Sequence, residues 1–159
     1  MLRRSLAPVQ AILLGTLTVG VLDLVDAIVF FRLRSGVAPI RIPQSIAAGA
    51  LGRAAAFRGG LGTAALGVAL HFFIAFGIVT IYWLASRRLS VLVRRPFACG
   101  PLYGLGVYAF MNYVVIPLSA AASSGPTPLP VLLNGLIIHV VGVGLPSALF
   151  ARASRRMGP

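Results

Sequence analysis

An all-α bundle of four membrane-spanning helices is the fold the sequence predicts, and three observations predict it. Hydrophobic residues make up 58% of the 159 residues and charged residues only 10%, against about 25% charged in soluble domains. Four apolar runs, residues 8–31, 61–85, 97–118 and 129–151, each reach the ~20 residues a helix needs to cross a bilayer. Every charge except Asp23 and Asp26 is an arginine in a flank or connection. The mean hydropathy of +0.97 agrees, and the length suits a single transmembrane domain over residues 1–159.

The first run, PVQAILLGTLTVGVLDLVDAIVFF, follows Arg3 and Arg4 as a secretory signal would. No small-x-small cleavage site follows it, so it reads as a retained span. Residues 32–60 are too long for a simple turn. Pro39 and Pro43 punctuate them, and Gln44–Phe57 then reads as a helix ending at Gly59-Gly60. Ile46, Ala50, Ala54 and Phe57 share one face of it, with Gln44 and Arg53 elsewhere. It is too short to span and is expected at the interface or as a re-entrant piece. Residues 86–96 form a basic connection, and Ser119–Pro130 a neutral Ser/Pro/Gly-rich one. Pro117 should end the third helix, and Pro146 should kink or loosen the last turns of the fourth. Tyr82, Trp83 and Tyr103 fall near one membrane surface, where an aromatic belt belongs.

The net charge is +12, and all 14 basic residues are arginine. Basic chains often bind nucleic acid, but these arginines are scattered between apolar runs, so the expected partner is the bilayer and no nucleic acid. Arg3, Arg4, Arg87, Arg88, Arg94, Arg95, Arg152, Arg155 and Arg156 fall on one side. Arg32, Arg34, Arg41, Arg53 and Arg58 fall on the other, so the positive-inside rule puts both termini in the cytoplasm. The lone Cys99 excludes an intramolecular disulfide and a Cys-x-x-Cys redox pair.

Within the spans lie a few strongly polar groups. A carboxylate at mid-membrane costs roughly 2.5–3.5 kcal/mol on insertion scales and is rarely left facing lipid. Span one carries Asp23 and Asp26, span two His71, span three Asn112 and span four His139. At about 1.5 Å rise per residue, both histidines fall within a few Å of the midplane. Asn112 and Asp23 come out roughly 4–6 Å beyond it and Asp26 about 9 Å, on the side of the first loop. Asp26 is thus near enough to the surface to reach water or a loop arginine, which makes Asp23 the stronger candidate.

Helical spacing adds faces to these depths. Thr16, Val19, Asp23 and Asp26 share one stripe. Gly67, His71 and Ala75 form another, Gly104, Tyr108 and Asn112 a third, and Gly135, His139, Gly142 and Pro146 a fourth. Small residues let membrane helices approach closely, so these stripes are the expected inner seam. Gly-x-x-x-His occurs in both span two and span four.

Several chemistries suit this set. Asp23 would be a titrating carboxyl in a proton, cation or small-ligand site, with Asp26, His71, His139 and Asn112 as partners and Tyr108 and Thr16 in support. Asp23, His71 and His139 are also metal-ligand types that zinc or iron accepts. Paired membrane histidines can ligate haem b. The remaining alternatives are no cofactor and a polar layer that only holds helices together, as in an accessory subunit. A second copy or a partner membrane subunit would then be the companion. No Gly-x-Ser-x-Gly, phosphate-binding loop or His-Glu-x-x-His occurs, which argues against an enzyme.

The segments RGGLGTAALGVALHF (58–72), YAFMNYVVIPLSA (108–120) and NGLIIHVVGVGLP (134–146) give the chain a further likeness. It resembles small four-span bacterial inner-membrane proteins. That likeness implies a multi-pass protein of that membrane and carries no activity with it.

Overall fold

The computed structural model describes residues 6–121 and 126–155. Arg3, Arg4 and Arg156 of the charge count, and part of the 119–130 connector, lie outside the described residues. Among the described residues the chain forms α1 (Pro8–Ser35), α2 (Arg41–Leu51), α3 (Arg53–Arg58), α4 (Gly60–Arg88), α5 (Val91–Arg94), α6 (Pro96–Leu118) and α7 (Leu129–Ala153). Helices α1, α4, α6 and α7 are long and apolar enough to cross a membrane. Their bounds follow the four apolar runs closely. Arg32 and Arg34 extend α1 by a turn before Gly36 closes it in the left-handed conformation, φ 66°. The outward surface carries Leu13, Leu17, Phe73, Leu102, Phe110 and Ile137. Water-soluble proteins seldom expose so much apolar side chain in contiguous patches, and the arrangement is compatible with a membrane bundle.

The first and last described residues lie at one end of the bundle. Leu6 N–H donates to the Ala153 carbonyl at 3.0 Å, and Trp83 Nε1 donates to Ser154 Oγ at 2.9 Å. We call this the terminal end and its opposite, where α2 and α3 sit, the loop end.

Helix α7 runs along α1, α4 and α6. Its approach to α6 brings the two backbones into contact. A side chain on Gly104 would collide with the His139 carbonyl, and one on Gly144 with the backbone of Gly100 and Gly104. Helices α4 and α6, by contrast, are joined mainly by side chains. Tyr103 OH donates to the Ile78 carbonyl at 2.7 Å, and the Tyr82 and Tyr103 rings meet edge-on at 5.0 Å. Tyr82 OH in turn donates to the Leu92 carbonyl at 2.9 Å. These two tyrosines are therefore internal struts and not members of a surface belt, because a phenol inside a bundle needs an acceptor there.

The first loop departs most from expectation. The single helix 44–57 is two helices, starting at Arg41 and interrupted at Gly52, whose φ of 78° with ψ of 155° suits glycine alone. The buried face is Ile42, Pro43, Gln44, Ala47 and Ala48, while Ala50 and Ala54 are exposed. Close approach explains the difference. Helix α2 lies with its Pro43 carbonyl directly against Gly67 of α4, where any larger residue would overlap it. Gln44 can be buried because its amide is satisfied: Nε2 donates to the Gly60 carbonyl at 3.0 Å and Oε1 accepts from Arg41 at 3.2 Å. Arg41 also donates to the Phe57 carbonyl at 3.0 Å, tying α3 back to α2.

The interior is layered along the bundle axis. Ala47, Ala48 and Ala56 pack at the loop end. A plug of Val19, Ala75, Val79, Val107 and Val143 fills the middle. Tyr82, Val93, Ala148 and Ala151 close the terminal end.

Two π-helical turns interrupt the spans, Met111–Val115 in α6 and His139–Gly144 in α7. Each closes just ahead of a proline. Ile116 N–H bonds the Met111 carbonyl and Leu145 N–H the Val140 carbonyl, both five residues back. A proline lacks the N–H and collides with the carbonyl four residues earlier, and a widened turn relieves that collision. Pro117 thus lies one residue from the end of α6, much as expected. Pro146 loosens the turn before it and not the last turns of α7, which are regular α-helix.

Gly144→Ala should destabilise the protein by roughly 1–3 kcal/mol, the usual cost of overpacking. Gly106→Ala, where the added carbon meets nothing within 4 Å, should be neutral or slightly stabilising. Thermal unfolding of both variants in detergent checks the pair.

Candidate functional site

Between the valine plug and α2 lies a cavity of about 260 Å³. Asp23 of α1, His71 of α4, Asn112 of α6 and His139 of α7 all line it, together with Ser45 of α2. The rest of the lining is apolar and includes Leu24, Phe31, Ile74, Ile78, Met111 and Ile116. Four of the five residues expected to form the polar layer therefore share one space, one from each span. Asp23 is the only acidic side chain in the lining, and no arginine is among its residues.

Hydrogen bonds behind the cavity orient four of its polar groups. His71 Nε2 lies 2.9 Å from the Gly20 carbonyl on α1. A carbonyl only accepts, so Nε2 carries the proton and Nδ1 retains its lone pair when the ring is neutral. His139 Nδ1 lies 2.9 Å from the Gly135 carbonyl of its own helix, which leaves Nε2 as the acceptor. The two Gly-x-x-x-His phrases thus serve different bonds, one across to a neighbouring helix and one back along its own. Asn112 Nδ2 donates to the Tyr108 carbonyl at 2.9 Å, and Ser45 Oγ to the Ile42 carbonyl at 2.6 Å.

Tyr108 does not line the cavity but supports it. Its carbonyl holds Asn112, and its ring meets the His139 ring edge-on at 5.3 Å. Gly135 makes room for that ring, since a side chain there would strike Tyr108 Cε2. Asn112 and His139 both sit in the π-helical turns. A wide turn often marks a functional site, and here the prolines account for its position.

The fifth residue, Asp26, lies elsewhere. Its Oδ2 accepts from Asn134 Nδ2 at 2.6 Å, which binds α1 to α7 toward the loop end. Asn134 escaped the sequence reading although it was visible as an amide within an apolar run. Asp26 and Asn134 enter from the loop end by about the same number of residues, and that matching depth was the available signal. Thr16 is buried in α1 on the terminal side of Asp23 and is not among the lining residues. Ser45 was also missed, because the expected helix placed its inward face elsewhere.

No family model, curated protein or solved structure matches the chain.

The cofactor alternatives meet this geometry unevenly. Among the described residues no three His, Cys, Asp or Glu side chains form a group able to hold a metal ion. The Asp23, His71 and His139 set is thus not assembled for zinc or iron. Each histidine does have one nitrogen anchored on a carbonyl, the pattern seen behind metal-bound imidazole. However, a cavity of about 260 Å³ falls below the roughly 300–1,000 Å³ that drug-sized ligands occupy. A porphyrin is larger than most of these and does not fit.

Asn134→Leu should destabilise the protein by about 1–3 kcal/mol, because it leaves the half-buried Asp26 carboxylate without its partner. Adding Asp26→Leu should restore much of that loss. A double-mutant cycle of thermal unfolding in detergent measures the coupling.

Proposed function

We propose that this chain is a multi-pass protein of the bacterial inner membrane, with both termini in the cytoplasm, that binds a proton or small cation in the cavity beneath α2. Asp23 is the charged group of that site. His71 and His139 offer ring nitrogens to the ligand, Asn112 orients it, and the bilayer is the protein's solvent over the four spans. The observation that carries the reading is the convergence of Asp23, His71, Asn112 and His139 on one space lined by no arginine. A carboxylate in that setting gains most from a cation or a proton, since no lining side chain offsets its charge.

Access is expected from the loop end. Ile42, Ser45 and Ile46 of α2 belong to the cavity wall, and α2 would lie at the membrane surface there. On the other side the valine plug separates the cavity from the terminal end. The site is thus read as a one-sided binding site at rest, with movement across the membrane requiring the plug to open.

Asp23 and Asp26 are the only acidic side chains in the chain, which makes an infrared test simple to assign. Acidification or sodium titration of the purified protein should change a carboxyl band that vanishes in Asp23→Asn and persists in Asp26→Asn. The Asp23→Asn variant should stay folded. A protein whose carboxyl band ignores both titrations, and which fails to fold as Asp23→Asn, would instead have a polar layer that serves helix packing.

A further inference from the structure

We infer that the ligand of this cavity is a small organic ammonium ion, a protonated primary or secondary amine on a compact apolar body. This rests on the cation-binding reading above and specifies its ligand. The donor and acceptor inventory of the lining is the starting point. His71 Nε2–H, His139 Nδ1–H, one Asn112 N–H and the Ser45 O–H are all committed to backbone carbonyls. What these side chains retain are the His71 Nδ1 and His139 Nε2 lone pairs, the Asn112 carbonyl with one N–H, the Ser45 oxygen and the Asp23 carboxylate. The set is rich in acceptors, negatively charged and almost without donors. Its complement is a cation that brings N–H groups of its own.

Three competing ligand classes fit less well. An anion would face Asp23 with a single side-chain N–H to greet it. A hard metal cation wants six or so oxygen ligands, and among the described residues no cluster of metal-ligating side chains forms. A hydrated alkali ion would press its water against Leu24, Phe31, Ile74, Ile78, Met111 and Ile116. An alkyl or cycloalkyl body covers that wall favourably, at the usual gain for apolar surface removed from water. The cavity volume of about 260 Å³ restricts the body to a few carbons or one small ring.

The test uses the full chain in nanodiscs, with empty nanodiscs as the blank, and isothermal titration at neutral pH. Cyclohexylamine is the probe, because its amine is protonated there. Cyclohexanol, cyclohexanecarboxylate and N,N,N-trimethylcyclohexylammonium share the ring but change the head group. Cyclohexylamine should bind saturably, with a dissociation constant roughly tenfold or more below those of the alcohol and the quaternary ion, about the worth of one charge-assisted hydrogen bond. The carboxylate should not bind. Asp23→Asn should weaken the amine by a similar factor and leave the alcohol unchanged. Equal affinity for amine and alcohol, or preference for the carboxylate, overturns the inference in the wild-type protein without recourse to any variant. A quaternary ion that binds as well as the amine overturns the role given to the N–H groups. Should cyclohexylamine fail while the Asp23 carboxyl band still answers to acid or sodium, the ligand class falls and the cation site stands. If both are silent, both fall.

Discussion

The crossing of α6 and α7 at Gly100, Gly104 and Gly144 decides where the other helices can go. Between apolar helices in lipid there is little hydrophobic drive to associate, so backbone approach and van der Waals contact carry the packing. Glycine at these positions lets the two backbones touch. Helix α7 becomes the shared partner of α1, α4 and α6, and α4 is left to reach α6 through side chains. Tyr103 and Tyr82 span that separation toward the terminal end. Toward the loop end no tyrosine fills it, and there the polar side chains and α2 enclose a cavity. The site is in this sense what remains where a tight helix pair and a looser one share a bundle.

A second constraint then shapes the chemistry. Inside a membrane there is no bulk water to satisfy a stray donor, so most find an acceptor in the protein. Helical carbonyls already hold one hydrogen bond but keep a second lone pair. Gly20, Gly135, Tyr108 and Ile42 use it to take the donors of His71, His139, Asn112 and Ser45. The consequence is directional. Committing the donors outward to backbone leaves acceptors as the unspent capacity of the set, alongside the one carboxylate. The prolines contribute as well, since the wide turns ahead of Pro117 and Pro146 are the turns that carry Asn112 and His139.

Much of this was legible in the residues. Four spans follow from hydropathy, because a helix in lipid must be apolar on every exposed side and long enough to cross. The polar layer followed from depth, since a rise of about 1.5 Å per residue converts position in a run into height in the bilayer. Height without azimuth was the limit. It grouped Asp26 with Asp23, although the former is turned to Asn134 and the latter to the cavity. The inward stripes held better, with Gly67, Ala75, Gly104, Gly142 and Pro146 all buried, yet Gly67 meets α2 and not another span. The face of α2 was misread for a physical reason. Apolar periodicity assumes that the larger hydrophobic side chains point inward, whereas α2 docks through Ala47, Ala48 and a bare carbonyl on Gly67. Burial of Gln44 likewise depends on carbonyls at Gly60 that are distant in sequence.

The floor of the cavity is the valine plug, which separates it from the terminal end. Val19, Ala75, Val79, Val107 and Val143 offer it nothing polar. Yet the terminal side of that layer is not wholly apolar: the Thr16 and Thr80 hydroxyls are buried there without a partner in the protein. A buried hydroxyl is costly unless something satisfies it. The valine layer separates the cavity from those hydroxyls. Val143 belongs both to the plug and to the π-helical turn that begins at His139. Closing that turn to α would restore the collision between Pro146 and the carbonyl four residues earlier, so the turn is held wide where it carries both residues. The proline that widened the turn thus sets His139 at the cavity and Val143 in the plug on one turn of α7, so the polar lining and the apolar layer beneath it share a single backbone feature.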